Sequence, residues 1–257
     1  MTLETIAILA TAAFSAGVLN AIAGGGSFLT FPALVFVGIP PISANATSAL
    51  SVSPGYLGSI FGFKQELQAL PRRLLLQEFA AASGGGLIGA LLLLVTPAQV
   101  FAGLVPWLLL FATILFALGP WLAARQRANG RVMAEATHLH GARLFGLFAV
   151  CIYGGYFNGG LGILMMALYG LVGETRLHTV NALKNVNSFV LSFLSVAAFV
   201  WADVIAWNEG LLMMACATVG GFSGAKLAKR LPLKWVRAIV IATGTVMTVV
   251  FFVRQSA

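Results

Sequence analysis

Lys184 is the only charged residue between His178 and Trp201. Around it Asn181, Asn185, Ser188, Ser192 and Ser195 recur at three- and four-residue steps, which sets them along one stripe of an α-helix. An ammonium flanked by carboxamides and hydroxyls offers charge and hydrogen-bond donors to the oxygens of an anion. Lys184 stands about 9 Å along the helix from His178, so snorkelling to a membrane interface is the competing reading. A second stripe carries no charge: Asn45, Ser48, Ser51, Gly55 and Ser59, flanked by Thr47 and Ser53. Small residues and hydroxyls at this spacing also serve helix packing in lipid. Asn45 has a repeat partner in Asn181 and is expected at the site.

Two glycine-rich stretches add a second source of donors. Gly17, Asn20 and Gly24 match Gly155, Asn158 and Gly162 in the pattern G-x-x-N-x-x-x-G. Gly24, Gly25 and Gly26 followed by Ser27 are expected to break the first helix, because glycine weakens helix interiors and opens other backbone angles. In lipid a broken backbone survives only where protein or a polar cavity satisfies its freed groups. A half-helix that starts after such a break presents unpaired N–H groups and the positive end of its dipole. Two such starts beside Lys184 would make an anion-favouring pocket. Asn20 and Asn158 either cap the breaks or contact the substrate.

The elements that hold these residues follow from composition. Hydrophobic residues make up 60% of the 257 and charged residues only 9%, so segments able to cross a bilayer fill nearly the whole chain. The net charge of +8 sits in short loops, as positive-inside bias requires, and does not point to nucleic acid. The chain reads as an all-α polytopic membrane protein. Met1 to Thr5 holds Glu4 and no basic residue, a poor start for a cleaved signal, so the first segment is expected to be retained.

Five segments are expected in each half: A 3–23, B 27–38, C 43–63, D 74–95 and E 100–123, then A′ 144–160, B′ 161–172, C′ 179–200, D′ 210–225 and E′ 238–253. B and B′ are short for a crossing. Pro54 is a candidate kink in C. The division expected is a first membrane repeat at 1–123, a basic linker at 124–143 and a second repeat at 144–257. Three sets of anchors align the halves: the glycine stretches, Asn45-Ala46 with Asn181-Ala182, and Gly86, Gly89-Ala90 and Pro97 with Gly221, Gly224-Ala225 and Pro232. Matches in order with little drift argue for duplication. Placing the basic stretches 64–73, 124–143 and 226–237 in the cytoplasm gives each half an odd number of net crossings. The halves are then two inverted-topology repeats, with glycine-broken hairpin helices meeting near the midplane.

Other chemistry lacks its residues. Cys151 and Cys216 lie far apart in apolar segments and read as packing residues; no C-x-x-C or Cys/His cluster implies a metal or cofactor. No G-x-x-x-x-G-K-[ST] motif, Ser/His/Asp set or usefully spaced carboxylate pair is present, so the chain is not expected to be an enzyme. His138, His140 and His178 lie at loops or segment ends. Glu78, about one turn into D, either carries a proton or forms a salt bridge. The tryptophans lie mostly near segment ends, as in an aromatic belt.

Taken together, the glycine breaks, Asn45-Ala46-Thr47-Ser48, Asn181-Ala182-Leu183-Lys184-Asn185 and the glycines at 84–89 and 220–224 resemble the sulfite exporter TauE/SafE family, also called the toluene-sulfonate uptake permease family. The resemblance covers nearly the whole chain. It departs where Ala182-Leu183 precede the lysine, a place where this family frequently has Gly-Thr. It implies movement of sulfur-containing anions, sulfite or organosulfonates, across the bacterial inner membrane, and leaves direction open. The expected substrate set is Lys184, Asn181, Asn185, Asn45, Ser48, Asn20, Asn158, Gly24, Gly25, Gly26 and Gly162. An anion channel and the membrane subunit of a larger complex are the alternatives; proton coupling and assembly as a homo-oligomer stay open.

Overall fold

A computed structural model describes residues 1–128, 136–174, 176–227 and 233–256. Among them there are eleven helices and no strands: α1 (Leu3–Ala23), α2 (Ser27–Phe36), α3 (Pro41–Gly62), α4 (Lys64–Gln68), α5 (Arg72–Val95), α6 (Ala98–Ala128), α7 (Ala136–Tyr156), α8 (Leu161–Leu171), α9 (Leu177–Trp201), α10 (Trp207–Leu227) and α11 (Leu233–Ser256). Thr2 caps α1, its hydroxyl accepting from the Thr5 amide at 3.2 Å, with Glu4 in the first turn. Gly24 ends α1 in the left-handed region at φ 77°.

Ten expected segments appear as helices, with three differences. Pro54, the candidate kink, lies inside the continuous helix α3. The stretch 64–73 holds the short helix α4, built of the helix formers Lys, Gln, Glu and Leu. The expected linker 124–143 is helical up to Ala128 and again from Ala136, where its alanines and arginines extend the flanking helices. The second break lies at 157–160, and Gly162 is the second residue of α8. Residues 129–135 and the side chains of Ser59, Trp121, His138, His140 and 226–237 lie outside the described residues.

Polarity is arranged inside out. Asn45, Thr47, Ser48, Ser51, Glu78, Asn187, Ser188 and Ser192 are buried, while Leu87, Ile88, Leu91, Leu104, Trp107, Phe111 and Ile114 face outward. Water would reverse this distribution; a bilayer favours it, because its hydrocarbon solvates the apolar rim and cannot satisfy polar groups. Among the described residues Leu3–Asn20, Arg72–Val95, Ala98–Leu115 and His178–Trp201 are long and apolar enough to cross a membrane.

The two halves interlock. α1 packs chiefly on α10 and α7 on α5, so segment A of each half rests on segment D of the other. Glycines set both seams. A methyl at Gly17 would overlap the Ala217 carbonyl oxygen and come within 2.7 Å of the Gly221 nitrogen; one at Gly155 would overlap the Gly86 carbonyl. These are the glycines that the sequence repeat pairs. α3 and α9 cross at the centre in opposite senses. The Phe63 ring at the end of α3 lies 6.2 Å from His178 at the start of α9, and Thr47 near the start of α3 accepts from the Ala206 amide beyond the end of α9. α5 runs in the same sense as α9: Glu78 meets Asn187, and Gly86 meets Ser195.

Candidate functional site

The interruptions of the two hairpins touch. Gly24 to Gly26 and Phe157 to Gly160 are all buried. A Cβ at Gly24 would lie 3.5 Å from the Gly162 Cα and 3.2 Å from the Lys184 Nζ, and one at Gly162 would lie 2.9 Å from the Gly24 carbonyl. Only glycine permits this approach, and Gly24 also needs its positive φ. Lys184 is 5% exposed, and among the described residues the ion pairs are Glu78–Arg143 and Glu174–Arg176, neither involving it. An ammonium so buried and without a carboxylate is costly unless another anion joins it.

The two breaks carry unpaired backbone donors. Among the described residues Gly25, Gly26 and Ser27 donate to no backbone carbonyl, and neither do Gly159, Gly160 and Gly162. They are the freed amides at the starts of α2 and α8. The breaks are staggered. α1 continues to the residue before Gly24, whereas α7 stops at Tyr156, five residues earlier by the repeat register. Phe157 stands at this break, its amide still bonded to the Tyr153 carbonyl at 2.7 Å and its ring in the core against Phe31, at 5.4 Å, and Tyr153, at 6.2 Å. The Tyr153 hydroxyl donates to the Gly159 carbonyl at 2.8 Å.

The expected residues divide by what they touch. Asn45 holds the second break: its amide donates to the Tyr156 carbonyl at 3.2 Å, and its Oδ1 accepts from the Asn158 N–H at 3.3 Å. Ser27, at the first break, donates to the Asn158 carbonyl at 3.0 Å, so each break steadies the other. Ser48 is tied to Thr30 of α2 at 2.6 Å. Asn158 differs, because neither its Oδ1 nor its Nδ2 has a partner although the residue is 2% exposed. Asn185 is buried beside Lys184 in sequence, and Asn181 is half-buried a turn before it. Asn20 lies against Gly55, its Nδ2 3.6 Å from the position of a Cβ there, and interacts with the phenol of Tyr56, which also reaches Ser188. Tyr56 was invisible to the stripe pattern; its one signal is that it follows Gly55 in a helix otherwise rich in small residues.

A second polar cluster lies between α5, α7, α8 and α9. Glu78 is wholly buried and forms a salt bridge, one of its two expected roles. Its partner is Arg143, with Tyr169 and Asn187 completing the carboxylate's bonds. Asn187 belongs to α9 yet falls off the stripe of Lys184, so periodicity alone passed over it.

Residues 9–251 match the sulfite exporter TauE/SafE family. The chain belongs to that family. TauE/SafE relatives include the probable membrane transporter protein of Haemophilus influenzae, 29% identical over 250 residues that cover 96% of this chain and 94% of that protein. The probable membrane transporter protein ORF9 of Sinorhizobium is 29% identical over 233 residues, 88% of this chain and 82% of its own. The probable membrane transporter protein YfcA of Escherichia coli K12 is 27% identical over 262 residues, 95% of this chain and 88% of its own. No solved structure matches the chain. Membership of TauE/SafE and the four apolar spans make this an integral membrane protein.

Two asparagines paired in one contact then separate stability from binding. Asn45→Ala strips two bonds from buried backbone and is expected to destabilise the protein by about 2 kcal/mol. Asn158→Ala removes an amide with no partner, so thermal stability should hold or rise, and a loss of anion affinity in this variant would place Asn158 at a binding site. Thermal melts and anion uptake of both variants, side by side, check this contrast.

Proposed function

We propose that the protein is a secondary transporter of a small sulfur-containing anion, of the sulfite or organosulfonate kind, across the bacterial inner membrane by alternating access. One observation carries the reading: Lys184 is buried, without a carboxylate partner among the described residues, where two hairpin interruptions meet. Lys184 neutralises the anion, the freed amides of the breaks donate to its oxygens, and Asn158, Asn181 and Asn185 orient it. Asn45 and Ser48 act one step away, by fixing the breaks.

The opposed senses of α3 and α9 support inverted repeats around this pocket, and the matched glycine seams support duplication. In such a plan one half rocks against the other around a fixed site. The arginines at the starts of α5 and α7 support a cytoplasmic position for that end and for 124–143. The names of the relatives, probable membrane transporter proteins, support a transport role.

The test uses purified protein with sulfite, sulfate, thiosulfate and 4-toluenesulfonate. A true substrate raises the melting temperature, because it binds the native state only. In proteoliposomes its uptake should saturate and show counterflow. Unsaturable flux without counterflow would mean a channel, and no flux with any of these anions would end the transport reading.

A further inference from the structure

We propose that Glu78 is the proton-binding site that couples anion movement to a proton gradient; this rests on the transport reading above. Its carboxylate is gripped from three other helices. The Arg143 guanidinium of α7 donates to Oε1 at 2.6 Å, the Tyr169 hydroxyl of α8 to Oε2 at 2.9 Å, and the Asn187 amide of α9 to Oε2 at 2.7 Å. Arg143 also lies over the Tyr169 ring, 5.2 Å from its centre.

Stability does not account for this cluster. Desolvating an ion pair costs so much that apolar packing of similar volume holds a core as well. The other half of this chain carries out that replacement. Extending the register of Gly86 and Gly221 takes Glu78 to Met213; the registers of the other anchors take Tyr169 to Phe31, Asn187 to Ser51 and Arg143 to Thr5. Met213 and Phe31 are buried in the apolar core. The charge is therefore present on one side of a duplicated plan whose other side fills the same place with methionine and phenylalanine.

Its position links it to the anion site. Asn187 lies one turn from Lys184 on α9, and Tyr169 is on α8, whose first turn brings Gly162 against Gly24. Both second-half elements of the pocket are thus tied to one carboxylate. The ionisable groups facing Glu78 are Arg143 and Cys151 from α7 and Tyr169 from α8; α9 faces it with neutral Asn187, Lys184 being a turn away. Arg143, 14% exposed, joins the cluster to solvent at the end bearing Arg72 and Arg73. A proton arriving there binds a carboxylate oxygen, removes the counter-charge of Arg143 and turns an acceptor into a donor. α8 and α9 are then released from α5 and α7, and the grip returns when the proton leaves.

The test measures 4-toluenesulfonate, which does not titrate, in voltage-clamped proteoliposomes. With one proton per anion, a gradient of one pH unit drives about tenfold accumulation. Wild type should reach it; Glu78→Gln should show none while keeping counterflow at equal pH. Accumulation retained by E78Q, or lost together with counterflow in a protein that still melts normally, overturns the proposal. Wild type with counterflow but no response to the pH gradient overturns it too, and leaves the transport reading standing. Absence of counterflow in wild type for every anion tested sinks both. Should E78Q not fold, Tyr169→Phe decides. It deprives the carboxylate of one donor, so the pH midpoint of flux should rise by about one unit; an unmoved midpoint refutes the coupling role.

Discussion

Lys184→Met is expected to abolish anion flux in proteoliposomes while the protein melts no lower than wild type. The two effects have one cause. Lys184 is buried among helices and forms no ion pair among the described residues, so in the empty protein its charge opposes folding. Methionine keeps the length of the chain and removes the charge, and the ligand-free protein should gain stability. The anion then loses its counter-charge in a place where water cannot replace it. Breaking such a pair costs about 3 kcal/mol or more, which is a loss of affinity of about 150-fold. The rise in melting temperature with ligand should vanish as well. Flux at the wild-type rate would remove the lysine from the site.

Gly155→Ala is expected to lower stability by about 2 kcal/mol, and Gly17→Ala by a similar amount. In a helix facing open space, alanine in place of glycine stabilises by about 0.5–1 kcal/mol. Here sterics win, because the obstacle is backbone. The new methyl at 155 would overlap the Gly86 carbonyl oxygen and sit 3.1 Å from the Ala90 nitrogen. A side chain could rotate away; a packed helix must move bodily. Gly103→Ala is the control, since nothing lies within 4 Å of its Cβ position. Thermal melts in detergent should order the three as Gly103→Ala highest, with the two seam variants below wild type.

The helices and the site were not equally legible in the sequence. Long apolar runs with few charges define a membrane helix by composition, so nearly every segment is found at its expected place. The boundaries that moved lie where polar residues are also helix formers, as at 64–68 and 123–128. The second break lies earlier than expected, at Phe157, whose ring packs on Phe31 and Phe101, residues far away in the chain that no local pattern links to it.

Periodicity set Lys184, Asn185, Ser188, Ser192 and Ser195 on one helical stripe, and all five are buried on α9, since residues on one helix face share a fate that spacing reveals. It could not divide their labour. Asn45 and Asn158 are both asparagines at repeat anchors; only the packing of α3 on the second break makes one a clamp and leaves the other amide free. The Glu78 cluster was hidden for a related reason, as its four members lie on four helices far apart in the chain. By itself the sequence determined a helical, lipid-embedded chain with one lysine on a stripe of asparagines and serines. Only the tertiary structure decided that the two interruptions meet at that ammonium and that Arg143 reaches Glu78. Hydropathy and periodicity are local properties of a helix, whereas charge pairing and close backbone approach depend on which helices become neighbours.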